Sequence, residues 1–354
     1  VRAEKYIFWL EELGKEQNDL VGKKCANLGE LTRAGFRVPP GYALSLDAYD
    51  RFMKETGLLQ ELRSYFASHS VDPQDLENLE ELSRTVREMV EQAEVPKDIE
   101  ESVVFYYQEL CRKVGCPDLP VATRSAGPVS HPGQYETYLH VSGAPEVVKH
   151  VKKVWSSTFN ARSLAARARL GLPLEYDPIG VAVLTMVNAK AAGVMFTLDP
   201  TNGDVSKVVI EGSWGLGEAV VSGSVTPDRF KVNKVTLEIE ERHISSKERE
   251  FAFDPESRQT VYRGLPEDKS LAPCLEDREI VELTKIARQV ENHYGCPQDI
   301  EWCVAADLPF PENVFLVQSR PETVWSKKVQ QPALGKKSGF DLLMERAMAR
   351  LKVS

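Results

Sequence analysis

The chain has 354 residues, 42% of them hydrophobic and 27% charged, with a net charge of −9; this is the composition of a globular protein large enough for two lobes. No apolar run approaches a membrane span, and the acidic balance argues against a general nucleic-acid surface, so any phosphate site must be built from a few placed cations. The six cysteines (Cys25, Cys111, Cys116, Cys274, Cys296, Cys303) form no CxxC pair, which speaks against a zinc or redox site, and the charged N-terminal segment lacks a signal peptide's apolar core, so a cytoplasmic location is expected.

In chain order, Asn27 to Ala34 is apolar at helical spacing and is ended by Gly35; Val38-Pro39-Pro40-Gly41 is a rigid turn and Tyr42 to Leu44 a short extended piece. From Leu59 to Lys113 apolar positions recur every three or four residues, with breaks near Pro73 and Pro96, which predicts a helical cap. Leu119 to Thr123 reads as a strand entering a Gly/Pro/Ser loop at 126–133. Val147 to Leu170 reads as one helical stretch whose arginines, Arg162, Arg167 and Arg169, form a solvated face. From Ile179 strands dominate: 180–187, 192–199, 206–215, Phe230 to Ile239 and Thr260 to Arg263, followed by an amphipathic helix from Asp277 to Tyr294. A strand pair at 299–304 and 314–323 precedes a polar linker and a final amphipathic helix, Phe340 to Leu351, which packs on its own lobe or docks a partner. The pattern predicts an α+β fold: a first lobe at 1–190 with a helical insert at about 59–113, a second lobe at 191–325, and a linker and helix at 326–354.

The strand pair at 299–323 carries polar residues where a plain core strand would be apolar. Alternation puts Glu301 opposite Ile300, Trp302 and Val304, and sets Gln318 and Arg320 on one face. A carboxylate, an amide oxygen and a guanidinium on one surface suit a divalent metal and a polyphosphate; a hairpin with a solvated outer face is the plain alternative. The segment Val21-Gly22-Lys23-Lys24-Cys25-Ala26-Asn27-Leu28 has a glycine entering a helix N-terminus with lysine as a point charge, at a spacing that is not Walker A. In Val121 to Gly127 a strand end aims Arg124 into a small-residue loop, and Gly133 to Thr137 follows as a flap; a surface arginine beside a Pro-Gly turn explains those residues equally well. Ala192 to Thr197 and Trp214-Gly215-Leu216-Gly217-Glu218 read as scaffold first.

Taken together and in this order, VGKKCANLGEL, GFRVPPGYAL, ATRSA, GQYET, AGVMFTLDP, WGLGEAVVSGSVTPD, DIEW and VQSRPET resemble the N-terminal ATP-binding domain shared by phosphoenolpyruvate synthases, pyruvate phosphate dikinases and rifampicin phosphotransferases, over about residues 20–325. The resemblance implies an ATP-grasp fold, with ATP and Mg²⁺ held between two lobes. Residue by residue, it implies that Lys24 and Arg124 contact phosphates, although Lys23 stands where the family has glycine. Gly133 and Thr137 match the phosphate-covering loop, Glu301 and Gln318 bind ATP and Mg²⁺, and Arg320 is the arginine of the Gln-x-Arg-Pro-Glu-Thr motif. Lys24, Arg124 and Arg320 are the implied catalytic residues. Two departures stand out: Ser-Ala-Gly-Pro-Val-Ser-His-Pro replaces a longer acidic loop after Arg124, and Leu184 stands where glutamine is common.

The family reaction moves the β,γ-pyrophosphoryl group of ATP to a histidine in a different, swivelling domain and releases AMP. His131 is therefore not implied as that nucleophile. No such domain is expected after Thr323, so the resemblance implies a separate partner subunit carrying the phosphohistidine and substrate domains, with no nucleic-acid or membrane partner. The length and the Ser-His-Pro-Gly loop are similar to those of ATP-binding subunits of phenylphosphate synthases, which implies phenol as final acceptor. A regulatory ATP-binding module, or a self-contained kinase using the γ phosphate, are the alternatives.

Overall fold

The structure, a computed structural model of the chain, describes residues 5–128 and 135–325. Gly133, His131, the linker and the helix expected at Phe340 to Leu351 lie outside the described residues. The first part runs β1 (Ile7–Trp9), α1 (Asn18–Val21), α2 (Lys23–Arg33), β2 (Gly41–Leu44), α3 (Leu46–Glu55), α4 (Leu58–Ser68), α5 (Leu76–Gln92), α6 (Lys97–Val114), β3 (Val121–Ala126), β4 (Thr137–Val141), α7 (Ala144–Ser156), α8 (Ala161–Leu170) and β5 (Gly180–Thr185). The second runs β6 (Ala189–Phe196), β7 (Lys207–Trp214), α9 (Glu218–Val221), β8 (Asp228–Asn233), β9 (Ile239–His243), β10 (Arg249–Asp254), β11 (Gln259–Gly264), α10 (Glu267–Leu271), α11 (Asp277–Tyr294), β12 (Gln298–Ala305) and β13 (Val314–Pro321). The fold is a mixed α+β one.

Two antiparallel sheets frame the molecule, in the orders β1-β2-β5-β3-β4 and β13-β12-β6-β7-β8-β9. Sheet membership changes between Thr185 and Ala189. One face of the first sheet packs on the helices α3 to α8, where Phe52 and Trp155 stack at 5.0 Å over Tyr42, Leu44, Val181 and Val183. The other face takes α2, whose Cys25, Ala26 and Leu28 meet Ala43, Ala126 and Ala182. In the second sheet Ile300, Trp302, Met195, Ile210 and Phe230 bury against Ile280, Leu283, Ala287 and Val290 of α11, which leaves Glu301 on the opposite side. That is the period-two pattern of a sheet with one packed face.

Several elements differ from the sequence expectation for local reasons. The stretch 147–170 is two helices, because Asn160 accepts from the Ser163 N–H at 2.8 Å and caps α8. Phe230 to Ile239 is not one extended run: the Asn233 side chain accepts from the N–H groups of Val235 and Thr236, turning the chain back into β9. Helix α2 starts at Lys23, four residues before the apolar pattern becomes visible. Arg167 is 5% exposed rather than solvated: its Nη2 donates to the Thr158 carbonyl, and its guanidinium lies over the Phe159 ring.

Strands β10 and β11 form a separate hairpin. Its root is fixed by an ion pair with both side chains fully buried: Lys247 Nζ meets Asp228 Oδ1 at 2.6 Å. The Cys274 N–H donates to Asp228 Oδ2 and that of Ser245 to Oδ1, so the carboxylate is satisfied away from water.

Candidate functional site

Between the two sheets lies a cavity of about 150 Å³. Its apolar end is lined by Leu139, Leu184, Met186, Val187, Leu216 and Val317, and its polar end by Arg124, Thr137, Glu218 and Glu301. Arg124 reaches from β3 of the first sheet to the second. Its Nη1 donates to the Val317 carbonyl at 3.1 Å, and its Nη2 to Glu301 Oε2 at 3.1 Å and Gln318 Oε1 at 3.4 Å. Register explains the convergence. Glu301 pairs with Gln318 across β12 and β13, and a bulge between Glu301 and Trp302 makes Leu316, not Val317, the partner of Trp302. Thr137 faces Arg124 across β3 and β4.

Lys24 approaches from the N-terminus of α2. Gly22 is what lets the helix start there: its φ is +81°, and a Cβ would stand 1.8 Å from the Ala126 carbonyl oxygen. The Lys23 N–H donates to the Gly127 carbonyl at 2.9 Å, and the Asn27 side chain donates to the Ser319 carbonyl at 3.2 Å, so α2 is tied to both sheets. Lys23 is exposed and Lys24 partly buried. Burial first, then the Arg124 guanidinium and more weakly that of Arg320, push the Lys24 ammonium down to about 8, with Glu301 opposing. Among the described residues Lys24 forms no ion pair.

Arg320 is not on the cavity wall. Its Nε and Nη2 grip Asp299 Oδ2 at 2.8 and 2.6 Å, two register positions from Glu301 and Gln318, and its side chain is 41% exposed. Burial raises the Asp299 carboxyl, against the pull of Arg320. The structure thus brings Arg124, Thr137, Glu301 and Gln318 together, with Lys24 and Arg320 in electrostatic range, while Gly133 lies outside the described residues.

Both segments read in the sequence as scaffold take part. Ala192 and Gly193 line the cavity, as do Leu216, Gly217 and Glu218, of which Glu218 contributes a second carboxylate. Burial raises its carboxyl, Arg124 and Lys24 hold it down, and Glu301 pushes it up. The available signal was an acidic residue directly after Gly-Leu-Gly at a helix start. The pairing of Asp299 with Arg320 left no local sequence signal, because it depends on strand register. Among the described residues no three His, Cys, Asp or Glu side chains form a complete metal cage, and no helix is long and apolar enough to cross a membrane. All six cysteines are free.

The family described as pyruvate phosphate dikinase, AMP/ATP-binding domain, matches residues 18–338. A probable phosphoenolpyruvate synthase of Staphylothermus marinus is 40% identical over 95% of this chain and 43% of its own length. The phosphoenolpyruvate synthase of Aeropyrum pernix is 38% identical over 92% of the chain and 43% of its own length. A probable phosphoenolpyruvate synthase of Methanocaldococcus jannaschii is 40% identical over 91% of the chain and 27% of its own length. The chain therefore spans less than half the length of these relatives. It belongs to the family of pyruvate phosphate dikinase AMP/ATP-binding domains.

Proposed function

We propose that the cleft grips ATP in the ATP-grasp manner, with the nucleobase at the apolar end of the cavity and the phosphates at the Arg124 and Glu301 end. The β,γ-pyrophosphoryl group then passes to a histidine outside residues 1–354, on a separate subunit, and AMP leaves. The observation that carries this reading is the approach of Lys24 to Arg124 beside the cavity, where burial first and then the Arg124 guanidinium push the Lys24 ammonium down to about 8. A site that holds cations against one another is relieved by a polyanion.

In the transfer, a nitrogen of the acceptor imidazole attacks the β phosphorus, the bond from that phosphorus to the α–β bridging oxygen breaks, and the oxygen leaves with AMP. Lys24 and Arg124 hold the phosphates from the first lobe; Arg320 balances the charge that develops on the departing α phosphate. Such chemistry is mostly positioning and electrostatics, so this chain supplies no general base. Glu301 and Gln318 suit Mg²⁺: their oxygens are hard donors that already converge on one cationic nitrogen, Arg124 Nη2. Because no complete protein cage exists among the described residues, the other ligands would be phosphate oxygens and water. When bound, Mg²⁺ would supply charge neutralisation and orientation of the phosphate oxygens.

For the final acceptor, the sequence resemblance points to phenol, with phenyl phosphate as product; the relatives' printed name points to phosphoenolpyruvate as product and so to pyruvate as acceptor. Incubation with ATP labelled at the β phosphate, with and without the histidine-bearing subunit, tests the reading. Label on histidine with AMP released only when both proteins are present is the expected result, and ADP as product would overturn it. Addition of phenol or pyruvate to the labelled complex then identifies the acceptor. Glu301→Ala should lower AMP formation by at least about 10²-fold with the circular dichroism unchanged; undiminished turnover would remove Glu301 from the site.

A further inference from the structure

Thr137, the first residue of β4, lines the cavity, while Glu136 and Tyr138 on either side of it meet each other and the helical insert. Those neighbours are fastened. The Glu136 carboxylate receives a two-pronged contact from Arg87, Nη1 to Oε1 at 2.6 Å and Nη2 to Oε2 at 2.7 Å, and the Tyr138 hydroxyl donates to the same Oε2. The Glu136 N–H donates to Ser157 Oγ at 3.3 Å, and the Tyr135 hydroxyl donates to Asp177 Oδ2 at 2.6 Å. A fork of this kind fixes orientation as well as distance.

Arg87 belongs to the helical insert, far from β3 and β4 in sequence. It sits on α5, whose Leu79, Leu82, Val86 and Val90 are buried, so the guanidinium is presented from a rigid element. Its side chain is 24% exposed and that of Glu136 35%. Thr137, the residue after Glu136, pairs with Arg124 across β3 and β4.

We propose that Arg87 is a positioning residue for phosphate binding: through Glu136 it locks the entry of β4 so that the Thr137 hydroxyl and N–H stay at the polar end of the cavity. This rests on the reading of the cavity as an ATP site. It gives the helical insert a part in the reaction that none of its residues would have by contact, since Arg87 does not line the cavity.

The test compares ATP with adenosine, which fills the apolar end but has no phosphates. Arg87→Met should weaken ATP binding by about tenfold while adenosine affinity and melting temperature stay at the wild-type values. Arg87→Lys, which restores the charge but not the fork, should recover part of the loss. Equal loss for ATP and adenosine, or a lowered melting temperature accounting for both, would make Arg87 merely structural and overturn the proposal. Unchanged ATP affinity in Arg87→Met, with wild-type protein binding ATP, overturns this proposal alone. Wild-type protein that retains no ATP overturns the reading of the site and this proposal with it.

Discussion

Lys24 is the residue whose environment says most about the ligand. Its folded value, about 8, lies below its ordinary 10.5 because burial and Arg124 disfavour the charged form. The folded chain therefore gives up this proton before the unfolded chain does, and its contribution to stability rises with pH between those two values. Phosphate binding has the opposite dependence, since only the ammonium form attracts the anion. ATP affinity, measured by titration calorimetry at a series of pH values, should fall above pH 8 by up to about tenfold per unit, and Lys24→Met should flatten the profile. At the same scale the sequence was partly legible. Glu301 and Gln318 could be singled out because a carboxylate and an amide sat where a strand should be apolar, and Arg124 because a strand end delivered it into a small-residue loop. Glu218 was passed over because a Gly-Leu-Gly turn is so often only a turn.

Among the elements, α2 is the part that joins the two sheets at the site. Its N-terminus is possible only because Gly22 adopts a left-handed conformation with the chain pressed against Ala126. Gly22→Ala must shift that backbone, so it should lower the melting temperature and move Lys24 out of range of Arg124. Thermal denaturation and ATP titration of the variant check both effects, and a variant that keeps wild-type melting and ATP affinity would mean that the helix start is free to move. Element type was readable wherever side-chain period was strong, as in α11 and β12. It failed where a side chain turned the chain by hydrogen bonding to its own backbone, as Asn233 and Asn160 do.

Across the whole molecule, Arg124 is not the sole link between the halves. The β10–β11 hairpin belongs to the second half, where Phe251 bridges Gly215 and accepts from the Leu216 N–H at 2.8 Å, beside the cavity wall. It also reaches β4 of the first. His140, at φ +56°, stacks on Phe253 with ring centres 4.3 Å apart, and its Nδ1 lies 3.2 Å from Thr260 Oγ1. Burial alone lowers the His140 imidazole below 6.5. The unfolded chain thus binds the proton more readily, and the contact should be intact above pH 6.5 and weaken as the pH falls below it. Hydrogen exchange of the hairpin amides should accelerate on acidification, and Phe253→Ala should accelerate it at neutral pH. Equal exchange in both states would show that the hairpin holds without this contact.

The amino-acid sequence by itself determined the α+β class, the helical cap, the polar strand pair and the family, because these rest on periodicity, on local turn chemistry and on ordered motifs that survive without knowledge of contacts. Only the tertiary structure decided which charges meet. Glu301 faces Gln318 through a strand register with a bulge, Lys24 is presented because Gly22 nests on Ala126, and Glu136 is held by an arginine 49 residues away. Such pairings are fixed by packing between elements distant in the chain, and local sequence carries no record of them.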